Sequence, residues 1–141
     1  MEHPQANIVV TTTAGAVPGK LAKFFPDSAA GAEPKNADAL FLSVGYLSEV
    51  KPTEQDCYWD HAVTAARPAV IIPVHWDDFT AVLPNKPETK LKPAKGLLGD
   101  GDAARRLLKK KAEADKIRVL DLDFNESITI SDHSVDGPVA R

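Results

Sequence analysis

AVIIPVHWDDFT, residues 69–80, is the stretch that decides the fold class. A continuous apolar run from Ala69 to Val74 is followed at once by His75, Trp76 and two aspartates. A short apolar run that follows Pro68 and stops on polar residues predicts a strand covered on both faces. Polar side chains at the end of such a strand lie where open α/β sheets place their ligand sites.

The rest of the chain alternates between strand and helix patterns. One helix is predicted from Thr53, which with Asp56 resembles a capping pair, to Pro68. A second is predicted over Asp102 to Ala114, begun by Asp100 or Asp102. Further strands are predicted at 7–13, 37–44, 117–124 and 127–130. This alternation predicts an α/β fold in which helices cover a sheet.

Composition limits the class of protein. The 141 residues, 43% hydrophobic and 26% charged, predict a single globular domain over 1–141, with a mobile loop at 26–36 and a loosely ordered tail at 131–141. The net charge of −3 argues against nucleic acid as a general partner. Because neither a membrane-length apolar run nor a secretory signal is present, we expect a cytoplasmic chain without a membrane partner. The single cysteine, Cys57, excludes an internal disulfide and a cysteine-rich zinc module.

His75 has two interpretations on spacing alone. A histidine at a strand end can close the sheet by hydrogen bonding to a neighbouring carbonyl, with Asp77 or Asp78 capping a short helix. Alternatively, a neutral imidazole near carboxylates is typical of a metal site, in which one group binds the ion and others orient it. The spacing leaves both interpretations open.

Four segments, taken together, resemble the C-terminal half of metallo-β-lactamase-fold metal-dependent hydrolases. They are TTAGAVPGKL (12–21), ADALFLSVG (37–45), DCYWDHAV (56–63) and IIPVHWDDF (71–79). They follow the family's order at compatible distances, and the resemblance covers about residues 7–83.

The resemblance implies a fold, a site and a cofactor. The fold is half of a metallo-β-lactamase-type αββα sandwich, a mixed sheet covered by helices. The complete fold holds one or two metal ions, usually zinc, where its halves meet. His75 matches the last metal-ligand histidine, while Asp77 and Asp78 are candidates to orient it or to face the substrate.

Two departures from the family limit what this chain can do. The family's main metal motif, His-x-His-x-Asp-His, occurs nowhere in the sequence. Thr-Ala-Gly, residues 13–15, stands where many relatives have a Gly-Asp pair whose aspartate bridges two metals. Since a catalytic zinc needs about three protein ligands, we expect this chain alone to hold no metal tightly.

Two classes of function follow. In the first, the chain is the C-terminal portion of a metal-dependent hydrolase, inactive until an N-terminal half of the fold completes it; its small-molecule substrate cannot be read from the sequence. In the second, it is a non-catalytic binding or assembly module that self-associates through its sheet. Either class predicts a partner, the missing half or a second copy, because half a sandwich exposes apolar surface.

Other candidate residues have simpler explanations. Cys57, Asp60 and His61 share one face of a predicted helix, and the basic stretch 105–111 has no interleaved aromatic residues, so we interpret both as solvated faces. His133 lies in the polar tail, where we expect no chemical role.

Overall fold

The computed structural model describes residues 6–13, 19–25, 35–81, 90–96, 99–123, 126–131 and 133–140. The strands are β1 (Ile8–Val10), β2 (Ala39–Ser43), β3 (Val70–Val74), β4 (Arg118–Val119), β5 (Glu126–Ser131) and β6 (Ser134–Ala140). The helices are α1 (Pro52–Trp59), continued by a π-helical turn at Asp60–Thr64, and α2 (Gly101–Ala114), with a short 3-10 turn at Leu21–Lys23. No helix in these ranges could span a membrane.

Strands β1 to β4 form one parallel sheet in chain order, and β5 and β6 form a separate antiparallel pair. Parallel neighbours cannot be linked by a tight turn, so a longer crossover joins each strand of this sheet to the next. The predicted α/β class is confirmed as a parallel four-stranded sheet, two helices and a small antiparallel sheet. The sheet that the helices cover is parallel throughout and not mixed as predicted, because, among the described residues, the antiparallel strands pair only with each other.

One face of the sheet packs against the helices. Leu40 and Leu42 from β2 and Ile71 from β3 lie in one buried cluster with aromatic and aliphatic side chains of both helices. The helical contributors include Tyr58, Trp59, Val63, Leu108 and Ala112. Alternate residues of each strand face this side, so the helices cover the sheet as predicted.

The other face is covered by the hairpin of β5 and β6. Ala39, Val70, Ile72 and Leu120 form a second buried cluster on this face. Ile128, Ile130 and Val135 of the hairpin pack against it. The helices and the hairpin thus enclose the sheet from opposite sides.

The hairpin differs from the loosely ordered tail predicted at 131–141. Residues 134–140 pair with β5, and Ser134 donates its hydroxyl to the carbonyl of Ser131 across the turn. The polar composition of the tail does not predict this strand, because pairing with β5 satisfies the backbone and, of the residues 134–137 whose side chains are described, Val135 packs on the sheet.

Element boundaries differ by a few residues from those predicted. β1 is shorter than 7–13, and β4 contains two residues of the predicted 117–124. α1 begins at Pro52, where proline suits the first helical position, and not at Thr53. The loop predicted at 26–36 lies outside the described residues except for its last two positions.

Apolar exposure on the hairpin side is concentrated on β1. Ile8 and Val10 pair with Ala39 and Phe41, so they lie on the face that the hairpin covers further along the sheet. Their exposed fractions are 51% and 61%. Half of a sandwich is expected to expose one whole face of its sheet. Among the described strands, the exposed apolar part of this face is instead limited to β1.

Candidate functional site at the carboxyl edge of the sheet

Parallel pairing brings the carboxyl ends of β1, β2 and β3 to one edge of the sheet. The N–H of Thr11, which follows β1, donates to the carbonyl of Phe41 (2.9 Å), and the N–H of Val44 donates to the carbonyl of Val74 (3.0 Å). His75 follows β3 directly and is exposed. This edge is where open parallel sheets hold ligands.

Two aromatic residues at this edge adopt the left-handed backbone conformation. His75 has φ 64°, and Tyr46, in the turn after β2, has φ 60°. Non-glycine residues visit this region rarely, at a cost of roughly 1–2 kcal/mol each. Arg67, Lys116 and His133 adopt the same conformation elsewhere, so the positive φ of His75 supports a function at this edge only together with its contacts.

The His75 ring contacts the end of the neighbouring strand β2 and the turn that follows His75 itself. Its Nδ1 lies 3.4 Å from the Ser43 hydroxyl oxygen, and the Phe79 ring centroid lies 5.9 Å from its own. Gly45 approaches it so closely that an added Cβ would lie 3.4 Å from Nδ1 and 3.1 Å from the His75 carbonyl oxygen. Because glycine has no Cβ, Gly45 leaves room for the imidazole ring.

A buried hydrogen-bond network supports Ser43 from behind. The Tyr58 hydroxyl donates to the Ser43 carbonyl (2.9 Å), and the Ser43 N–H donates to Thr11 Oγ1 (2.9 Å). Thr11 Oγ1 lies 3.0 Å from the Tyr58 hydroxyl and closes the network. Burial raises the pKa of Tyr58 to about 12, against the hydrogen bond with Thr11, which lowers it. Tyr58 therefore stays protonated at neutral pH as a fixed donor beneath the site.

The two aspartates that follow Trp76 have contacts of their own. The Asp78 carboxylate accepts hydrogen bonds from the hydroxyl (2.6 Å) and the N–H (3.0 Å) of Thr80, and these bonds lower its pKa. Asp77 forms an isolated backbone bridge with Pro93. Within the described part of the chain, neither aspartate hydrogen-bonds to His75. The carboxylate contact of Asp78 is that of a turn cap.

The segment in which the resemblance would place a bridging aspartate is described only in part. Thr12 and Thr13 follow β1 as exposed bends, while Gly15 is outside the described residues. A threonine hydroxyl lacks the negative charge of a carboxylate and so cannot replace it as a bridging ligand.

At this edge, His75 is the residue that could bind a metal ion. His75 offers an exposed imidazole, a common metal ligand. Across the described ranges, no three His, Cys, Asp or Glu side chains lie together as a cage for an ion. Of the described residues at this edge, His75 therefore offers a single donor.

The remaining candidates lie elsewhere. Cys57 is exposed on α1. In the basic stretch, the guanidinium carbon of Arg105 lies 4.1 Å from the centroid of the Trp76 ring, and Lys109 forms an ion pair with Asp121. His133 does have a defined contact, with Asp38, although the sequence predicted no role for it.

Sequence reasoning missed Ser43 and the contact of Tyr58 with it. The available signal was a single polar residue inside the apolar run ADALFLSV, at the last position of the strand. A buried serine there needs a partner, but which partner depends on the neighbouring strand.

Comparisons with protein-family models, curated proteins and solved structures found no match.

Proposed function

We propose that this chain is the C-terminal portion of a metal-dependent hydrolase of the metallo-β-lactamase type, half of its αββα sandwich. His75 contributes one imidazole to a metal site that an N-terminal half of the fold completes. The observation that carries the proposal is an exposed, left-handed histidine at the carboxyl edge of a parallel sheet, beside a fully buried serine. The segments that resemble the family support it independently.

In this proposal, the chain's own residues position the imidazole. Ser43 lies against Nδ1, which leaves Nε2 as the nitrogen for the ion. Tyr58 and Thr11 hold Ser43 in place, and the Asp78 cap fixes the turn that follows. When bound, zinc would supply an activated water and charge stabilisation for hydrolysis. Asp77 is the carboxylate proposed to face the substrate.

The experiment combines this chain with a segment that carries His-x-His-x-Asp-His, sought in the coding region upstream. Bound zinc and hydrolysis of ester, thioester and phosphodiester probes are measured for the wild type and for His75→Asn. Asparagine suits the left-handed conformation, so the variant removes the imidazole with little backbone change. His61→Asn, on the π-helical turn, is the matched control.

We expect His75→Asn to lose most of the bound zinc and His61→Asn to retain it. Zinc content and rate that do not depend on His75 would overturn the site assignment.

A second candidate function is a binding or assembly module without catalysis. It is favoured by the exposed apolar side chains of Ile8 and Val10 on the edge strand β1. β1 is the outermost of the described strands, and exposed apolar surface on such a strand marks interaction sites. Self-association of the chain that is unaffected by His75→Asn, with no zinc bound in any combination, would favour this function.

A further inference from the structure

The hairpin is held on the sheet by side chains. β5 and β6 pair only with each other, so among the described strands no backbone ladder joins them to the four-stranded sheet. Three apolar side chains pack on the sheet, and Arg118 Nη1 donates to the carbonyl of Val135 (2.9 Å). The hairpin is therefore a cover that can loosen without breaking the sheet.

A contact between His133 and the buried carboxylate of Asp38 joins the hairpin to the segment before β2. His133 Nδ1 lies 2.9 Å and 3.1 Å from the two carboxylate oxygens of Asp38. The Asp38 side chain is 8% exposed, whereas that of His133 is 64% exposed. The other hydrogen bond to the Asp38 carboxylate comes from the N–H of Asn7 (2.5 Å).

Among the described residues, the other charged groups around this contact are carboxylates, lysine and arginine. Lys35 and Arg67 line the same cleft, and Arg67 donates to the side chain of Asn36 and to the carbonyl of Lys35. On the hairpin, Glu126 accepts the N–H of Asp123, and Asp136 lies on the exposed strand β6. Carboxylates, lysine and arginine ordinarily keep their charges between pH 5 and 8, whereas histidine changes its charge in that range.

We propose that the hairpin is a proton-controlled cover: His133 in its charged form closes it on the sheet through Asp38, and loss of that proton loosens it. A buried carboxylate is costly without an opposite charge, so the imidazolium favours the closed arrangement. The neutral imidazole offers only a hydrogen bond, which is weaker.

Loosening would enlarge the apolar surface of the sheet. The hairpin covers Ala39, Val70 and Ile72, and this face continues to the exposed Ile8 and Val10 of β1. Rising pH would therefore increase, by the same small factor, the fraction of molecules in which this continuous apolar face is uncovered, whether or not His75 belongs to a metal site.

The test is amide hydrogen exchange at pH 5.5, 6.5 and 7.5, corrected for intrinsic rates, on the full chain. We expect amides of 126–140 to be about two- to five-fold better protected at pH 5.5 than at pH 7.5, the range of a partly exposed ion pair. Amides of α2 serve as the internal reference for global unfolding and should show no such change.

Two variants assign the effect. His133→Asn keeps a residue that tolerates φ 59° and removes the charge, so the pH dependence of the hairpin should disappear. Asp38→Asn should remove it as well. His75→Asn, the same substitution at φ 64° on the opposite edge, should leave it intact.

Three results would overturn the proposal. These are hairpin protection that does not change with pH, a change that persists in His133→Asn, and a change that α2 shares in full.

Discussion

His75 and His133 have the same backbone conformation and different partners. Their φ angles are 64° and 59°, and each follows a strand. His75 faces the neutral hydroxyl of a fully buried serine, whereas His133 faces a buried carboxylate. The first arrangement orients a ring, and the second favours a charged one. The side chain that each histidine contacts is therefore the reason why His75 is proposed as a metal ligand and His133 as a switch.

Tyr58 gives a test of the buried network at the residue scale. Tyr58→Phe removes the hydroxyl that bonds the Ser43 carbonyl and Thr11, so at neutral pH we expect stability to fall by about 1–2 kcal/mol. Because the folded-state pKa of about 12 exceeds the ordinary 10.0, the contribution of this hydroxyl is present below pH 10 and lost as pH rises to 12.

Urea denaturation of both proteins at pH 8, 10 and 11.5 measures this. The difference between wild type and variant should shrink along the series. A constant difference would contradict the buried position of the hydroxyl.

At the scale of elements, the start of α2 fixes the turn after His75. Asp100 caps the helix by accepting the N–H of Ala103 (2.8 Å). The N–H of Gly101 donates to the carbonyl of Ala94 (2.9 Å), and the N–H of Ala94 donates to that of Trp76 (2.9 Å). The helix terminus, the segment before it and the residue after His75 are thus joined in one series of backbone bonds.

Gly101 tests this junction. A Cβ at this position would lie 1.9 Å from the Trp76 carbonyl oxygen, so we expect Gly101→Ala to lower stability by about 3 kcal/mol, although alanine usually favours a helix. Gly137→Ala is the control, because its Cβ would meet only Arg118 Nη2 at 3.5 Å. Urea denaturation followed by circular dichroism measures both, and equal losses would contradict the close approach.

At the scale of the whole molecule, the two faces of the sheet are unequally covered. The helices cover one face, and the hairpin covers the other from β2 to β4, which leaves Ile8 and Val10 of β1 exposed. The exposed apolar surface of this sheet face therefore lies on β1.

Substitution on β1 tests this surface. We expect the isolated wild-type chain to self-associate through this surface, and Val10→Glu to weaken dimerisation by about tenfold or more because the substitution would bury a charge. Phe79→Glu is the control, since Phe79 is 63% exposed but lies beside His75. Sedimentation velocity over a concentration series measures the dimer. A monomeric wild type, or equal effects of the two substitutions, would contradict the prediction.

The sequence by itself determined the α/β alternation and the core strand after Pro68. β3 and α2 lie within one or two residues of their predicted bounds, because hydrophobic runs and N-caps are local signals. Composition could not reveal β6, because a polar strand needs a paired neighbour to satisfy its backbone.

Only the tertiary structure decided what each histidine touches. Ser43 and His75 are 32 residues apart and meet through the parallel register of β2 and β3. Asp38 and His133 are 95 residues apart and meet because the hairpin folds back over the sheet. Local pattern specifies which residues form strands, whereas packing of those strands selects the contacts that carry the proposed chemistry.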